Sequence, residues 1–177
     1  MFACFTEFKK AFDSVNYRKL FAKLLGDGVN CLIVQFGTAI KCDTLDGNCL
    51  SAGFHHEQWH DTRQGGVLFP YLFTRYIREM LMAIVNSRIG RVIGDQFVNI
   101  LAYADDIAVS APTWKALQSL LNILNGHVAQ LNMQCIVEKT VCMVFNPVNQ
   151  HCIVAEYGPL LSVGNKFIKY VSTFKYF

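Results

Sequence analysis

Leu101-Ala-Tyr-Ala-Asp-Asp-Ile-Ala-Val109 is the stretch on which the reading of this chain turns. Apolar residues flank two adjacent acids on both sides. That pattern predicts two strands, near 96–102 and Ile107–Ser110, joined by a turn over Tyr103–Asp106 that lifts both carboxylates to its tip. Upstream, the Phe-rich alternation of residues 2–8 predicts another strand. Asn16 opens a helical pattern with Leu20, Phe21, Leu24 and Leu25 on one face and Arg18, Lys19 and Lys23 off it, and Gly26 and Gly28 end it. A second helix is expected over 30–41 and a hairpin region over 48–62. Pro70 stands where a helix starts. From Tyr71 to Asn86, Leu72, Phe73, Tyr76, Ile77, Met80, Leu81, Ile84 and Val85 form a broad apolar face. A short strand is expected near 90–94. Downstream, Thr113 caps a long helix to about Leu131, and strands near 141–145, 151–155 and 167–176 close the chain. Helices and strands mix without βαβα repetition, which predicts an α+β fold in one domain over residues 1–177.

Composition sets the bounds. The 177 residues are 53% hydrophobic and 16% charged, which suits a folded domain rather than disorder. A net charge of +3 permits nucleic-acid binding without arguing for it. The seven cysteines, at 4, 31, 42, 49, 135, 142 and 152, include no C-x-x-C pair, and no secretory leader precedes them. Reduced thiols in an intracellular protein are the expectation, in nucleus or cytoplasm. No apolar run approaches the roughly 20 residues a membrane-spanning helix needs, so no membrane association is expected.

Two carboxylates at one tight turn repel each other unless a cation sits there. Hard divalent cations take oxygen ligands, usually one or two carboxylates plus substrate phosphates. Two-metal sites of this kind drive in-line phosphoryl transfer. The plainer reading is a polar hairpin turn, since Asp is common in turns; the Tyr-x-Asp-Asp context is more specific than that.

The surrounding stretches sharpen the reading. Glu7-Phe-Lys-Lys-Ala-Phe-Asp-Ser-Val15 resembles motif A of the reverse transcriptases of non-LTR (LINE-type) retrotransposons. Arg63-Gln-Gly-Gly-Val-Leu-Phe-Pro-Tyr-Leu-Phe73 is similar to motif B, and Tyr103-Ala-Asp-Asp106 to motif C. Glu138-Lys-Thr-Val-Cys-Met-Val-Phe145 resembles motif D, and Phe174-Lys-Tyr176 the start of motif E, the primer grip. The resemblance covers nearly the whole chain. It implies a polymerase palm-like antiparallel sheet backed by helices, with fingers and thumb largely missing and supplied by other segments of a longer polyprotein. It implies an RNA-directed DNA polymerase acting on an RNA template, a DNA primer and dNTPs with Mg²⁺ or Mn²⁺. It also implies roles. Asp105, Asp106 and Glu7 are metal-binding and catalytic. Phe12 packs under the incoming sugar, Gln64 and Gly65 lie near the nascent base pair, and Tyr103 belongs to the substrate site. Lys139 lies near the triphosphate, and Phe174, Lys175 and Tyr176 contact the primer. Gly65-Gly66 would let backbone approach nucleic acid without a Cβ clash. Asp13 is read as a cap for the helix that follows it.

Departures from the family pattern matter. Glu7 replaces the expected Asp, so its oxygens fall about an ångström away, a displacement that can cost roughly a hundredfold in rate. Phe69 replaces the usual Ser before Pro70. The chain starts six residues before Glu7 and stops inside motif E. These departures point to impaired turnover and to an alternative function: a non-catalytic retrotransposon-derived remnant that binds nucleic acid or protein. A rival from another class is a zinc metallopeptidase, because His56-Glu57-Gln-Trp-His60 fits H-E-x-x-H, with Glu79 as a third ligand. Only three positions of that pattern are fixed, and Gly53 and Gly65-Gly66 leave little room for the helix it needs.

Overall fold

The structure, a computed structural model, describes residues 1–30, 69–145 and 159–174. The expected helix at 30–41, hairpin at 48–62 and strand at 151–155 lie outside the described residues, Asn30 aside.

Local signals place the helices. Helix α1 (Tyr17–Gly26) begins at Asn16, whose side chain accepts the Lys19 N–H at 3.2 Å. The cap is therefore Asn16 and not Asp13, because the chain turns through residues 9–14 before the helix opens. Helix α2 (Phe69–Asn86) buries Phe73, Tyr76, Ile77, Met80 and Ile84 along one face. Helix α3 (Trp114–Gln130) starts where Thr113 accepts the Ala116 N–H at 3.2 Å, and it buries Leu117, Leu120, Leu121, Leu124 and Val128. The Tyr76 hydroxyl joins all three helices: it donates to the Leu131 carbonyl at 2.6 Å and accepts the Asn16 N–H at 3.2 Å.

The strands are β1 (Phe2–Thr6), β2 (Arg91–Ile93), β3 (Gln96–Val98), β4 (Ile100–Tyr103), β5 (Asp106–Ala111), β6 (Val141–Val144), β7 (Ser162–Val163), β8 (Lys166–Phe167) and β9 (Lys169–Tyr170). A five-stranded sheet runs β4-β5-β1-β6-β9, antiparallel except for the parallel β6–β9 pair. The fold is α+β, a largely antiparallel sheet backed by helices. Helix α2 packs on both α1 and α3, and α3 lies against β5 and β1. Cys4, Ile107, Val109, Ala111 and Cys142 supply the sheet's share of the core. On the edge strand β4, Leu101 and Tyr103 are 67% and 73% exposed.

Three expectations need correction. The strand expected over 96–102 is two strands in different sheets, broken at Asn99. The buried Asn99 amide donates to the carbonyls of Ile84 (2.7 Å) and Ile89 (2.8 Å), so it closes the end of α2 at the expense of a straight strand. Gly90, at φ 146°, lies so close that an added Cβ would meet the Asn99 Cβ at 2.6 Å. The strand expected over 2–8 ends at Thr6, and Phe8 makes only an isolated bridge to Cys135. The strand expected over 167–176 is two short pieces, β8 and β9, broken where the Ile168 N–H turns back to the Leu161 carbonyl at 2.8 Å.

Candidate active site

The site forms at one end of the β4-β5-β1 edge of the sheet. Tyr103 pairs with Asp106, so the hairpin tip is Ala104-Asp105 alone and the two acids straddle the turn and the first strand residue. Ala104 holds φ 53°, a left-handed conformation that costs a non-glycine residue about 1–3 kcal/mol. On the next strand Thr6 faces Ile107, and its hydroxyl donates to the Ile107 carbonyl at 2.8 Å in a buried contact. The paired register ends there: Glu7 follows Thr6 directly, and Asp106 precedes Ile107 on β5.

The electrostatics agree with that placement. The Asp106 carboxyl is raised above its ordinary value by partial burial first, then by the negative charges of Asp105 and Glu7. The three acids therefore share one field, although Glu7 stands about a hundred residues from the other two.

Glu7 is held at both ends. Its carbonyl accepts the Ile136 N–H at 2.8 Å, and the next turn is fixed by the Lys9 N–H on the Gln134 carbonyl at 2.8 Å. Its carboxylate meets the Lys139 ammonium at 2.5 Å, with the two side chains 42% and 60% exposed. The segment that anchors Glu7 also presents Lys139, since the Lys139 N–H binds the Ile136 carbonyl at 3.1 Å.

The remaining candidates fall as follows. Phe12 is partly buried and meets Phe73 edge-on, with ring centroids 5.0 Å apart, so the motif A and motif B stretches touch there. Phe174 stacks on Phe5 at 4.5 Å and 25°, two residues from Glu7. Tyr103 is exposed beside Asp106. Gln64, Gly65, Lys175 and Tyr176 lie outside the described residues, as do His56, Glu57 and His60. Glu79 is described, and it pairs with Lys23 of α1 at 3.2 Å. Two contributors escaped the sequence reading. Phe5 was legible only as one aromatic in an apolar strand, and Ile136 acts through its main chain, which leaves no side-chain signature.

Among the described residues, no three acidic, histidine or cysteine side chains converge closely enough to ligate one ion as they stand. The donor chemistry nonetheless fits a hard cation: the groups are all carboxylates, and partial burial followed by the charges of Asp105 and Glu7 raises the Asp106 carboxyl. Lys139 provides a positive charge to Glu7. Among the described residues no helix is long and apolar enough to cross a membrane.

Comparison with known proteins supplies the context. Residues 2–176 match the family model described as reverse transcriptase (RNA-dependent DNA polymerase). Over 155 residues the chain is 28% identical to the retrovirus-related Pol polyprotein from type-2 retrotransposable element R2DM of Drosophila melanogaster. That match covers 83% of this chain and 14% of the relative, so the chain spans a small part of the polyprotein it resembles. With nearly every residue inside the match, the chain belongs to the reverse transcriptase family.

Proposed function

We propose that this chain carries the nucleotidyl-transfer centre of a non-LTR retrotransposon reverse transcriptase, adding dNTPs to a DNA primer on an RNA template. The observation that supports the proposal is that the charges of Asp105 and of Glu7, which follows the end of β1, both act on Asp106 at the hairpin tip.

Asp105 and Asp106, joined by Glu7, would hold Mg²⁺ or Mn²⁺, which supplies positive charge for the triphosphate and for the entering and leaving oxygens. The protein's own part is positioning. Phe12, braced on Phe73, forms a flat wall against which a sugar packs. The stacked Phe5 and Phe174 rings and the exposed Tyr103 offer apolar surface near the carboxylates for the primer end. Lys139, once parted from Glu7, carries its ammonium proton towards the departing pyrophosphate. Gln64 and Gly65 would meet the nascent base pair, and Lys175 and Tyr176 would extend the primer contact.

One observation favours a second reading. Glu7, longer than the family's Asp, spends its carboxylate on Lys139, and a site locked in that pairing would bind nucleic acid without turning over. Primer extension on an RNA template with Mg²⁺ or Mn²⁺ separates the two readings, with an Asp105→Ala, Asp106→Ala variant as control. Extension lost in the control supports the polymerase. Absence of extension that is restored by Glu7→Asp identifies the lock, and nucleic-acid binding without extension in any variant supports the second reading.

A further inference from the structure

We propose that Cys4 and Cys142 form an oxidisable cross-strand dithiol that closes to a disulfide stapling β1 to β6. Neither thiol has a part in the chemistry above.

The register sets Cys4 directly opposite Cys142. Whether two facing residues on antiparallel strands can be bridged depends on the class of pair they form, because hydrogen-bonded and non-hydrogen-bonded pairs alternate. Met1 and Phe145 exchange both bonds: the Met1 ammonium donates to the Phe145 carbonyl at 3.0 Å, and the Phe145 N–H to the Met1 carbonyl at 2.7 Å. Stepping inward, Phe2–Val144 is a non-bonded pair, Ala3–Met143 a bonded one, and Cys4–Cys142 non-bonded. A contact on the far side agrees. The Cys142 carbonyl accepts the Val171 N–H at 2.8 Å, so it points away from β1. Non-bonded pairs bring Cα atoms to about 4.5 Å, and their side chains are the closer class. That spacing lies at the near end of the ~4.4–6.8 Å a disulfide spans. Both side chains are 0% exposed and belong to one core cluster, so both project from the same face of the sheet.

The environment sets the rate. Burial, then the neighbouring thiols, hold the Cys4 thiol well above its ordinary range, and burial pushes Cys142 up to about 12. The nucleophilic thiolate is scarce in the closed fold, so oxidation is slow and proceeds through molecules in which the cover opens. Strand β9, only two residues long, is the part of the sheet that shields β6 on its outer edge. With a peroxide as oxidant, one thiolate attacks a peroxide oxygen, the O–O bond breaks, and a sulfenic acid and water result. The second thiolate then attacks that sulfur, the S–O bond breaks and a second water leaves. Overall two thiols lose two hydrogens, and the peroxide takes them up as two waters. The closed bridge ties the strand leading into Glu7 to the strand that follows Lys139. It would stabilise that register without using either residue.

The test uses the whole chain, reduced and then exposed to hydrogen peroxide without denaturant. Free thiols are next blocked by alkylation and the peptides mapped by mass. The expected product is one linked pair, Cys4 with Cys142, two hydrogens lighter than the free peptides. It should come with a urea midpoint that rises on oxidation and returns on reduction. A variant with Cys31, Cys42, Cys49, Cys135 and Cys152 all changed to Ser should still form the link; should that variant not fold, the map of the unaltered chain decides alone. Cys135 is the internal competitor, because its charge also reaches Cys4. Linkage of Cys4 to Cys135 overturns the proposal. So does Cys4 and Cys142 both remaining reduced while other thiols oxidise, or a Cys4–Cys142 link that appears only in urea.

Discussion

Replacing Asp106 by Asn should make the metal-free chain more stable while removing a group that the proposed chemistry needs. Asp106 adjoins Asp105 on the hairpin and lies within reach of Glu7, which follows β1; after partial burial, both charges raise its carboxyl. Like charges directly opposed on neighbouring strands destabilise by about 0.2–1 kcal/mol per pair. Relief from the Glu7 charge and from that of the adjoining Asp105 should give the Asn variant an advantage of roughly 0.5–2 kcal/mol at neutral pH and low salt. For a chain of this size about 2–4 °C accompanies each kcal/mol, so the melting midpoint should rise by about 1–8 °C.

The pH dependence carries a sign. Folding raises the Asp106 carboxyl above its ordinary value of 3.8, so the folded state prefers the protonated form. Below that ordinary value both states are protonated and no penalty exists. As pH climbs through the raised value, ionisation against Asp105 and Glu7 removes stability from the parent chain but not from the Asn variant. The gap between them should be absent in acid and full near neutrality. It should shrink at about 1 M salt, where the screening length falls to about 3 Å. Mg²⁺ should narrow it from the other side, by binding the parent's acids in the folded state. Thermal unfolding across pH, salt and Mg²⁺ is the assay. An Asn variant that melts at or below the parent at neutral pH and low salt, or a gap indifferent to pH, refutes the shared-field account.

Other consequences follow from single contacts. Lys139→Met removes the Glu7 ion pair; because both side chains are largely in solvent, stability should change by less than about 1 kcal/mol. Affinity for a luminescent lanthanide probe should rise in the same variant, since Glu7 is released to the site; unchanged affinity argues against competition. Tyr76→Phe loses the hydroxyl that joins Leu131 to Asn16 and leaves a buried carbonyl short of a donor. A loss of about 1–3 kcal/mol should appear in urea denaturation. Ala104→Gly relieves the left-handed tip at φ 53°, and stability should rise by about 0.5–1 kcal/mol after the extra chain entropy of glycine is counted. A fall would show that the turn is not under strain.

What the sequence made legible was local. Asn16 and Thr113 are capping residues whose partners lie three residues on, and the apolar faces of α2 and α3 repeat at helical spacing. The acid pair between apolar flanks marked the hairpin tip. Long-range geometry was harder to read. The break at Asn99 depends on a carbonyl fifteen residues upstream that needs a donor, and no pattern around Asn99 announces it. Asn16 opens the helix as its pattern indicated, while Asp13, the other capping candidate, lies in the loop before it. At the site, the ordered motifs led to an expectation that Glu7 and the acid pair would lie side by side; the β1–β5 pairing ends at Thr6–Ile107, and the Glu7 charge reaches Asp106. The Lys139 ammonium on Glu7 joins residues 132 apart in sequence, and the Phe5–Phe174 stack joins the first strand to the last described segment. Such contacts are set by how the sheet closes, so composition and periodicity do not encode them.

The sheet order has a consequence for synthesis. Strand β1 lies inside the sheet, flanked by β5 and β6, whose register partners begin about a hundred residues later in the chain. At roughly 5–20 residues per second, a ribosome needs about 5–20 s to make that intervening length. During that interval Phe2-Ala-Cys-Phe-Thr6 has neither neighbour and no charge of its own. Closing such distant pairings is also slow in itself, because the loop entropy is lost before the contacts form. The most central strand of the finished sheet is thus exposed for longest as an adhesive edge, and the yield of soluble protein should depend on translation speed and on chaperones that cover that strand.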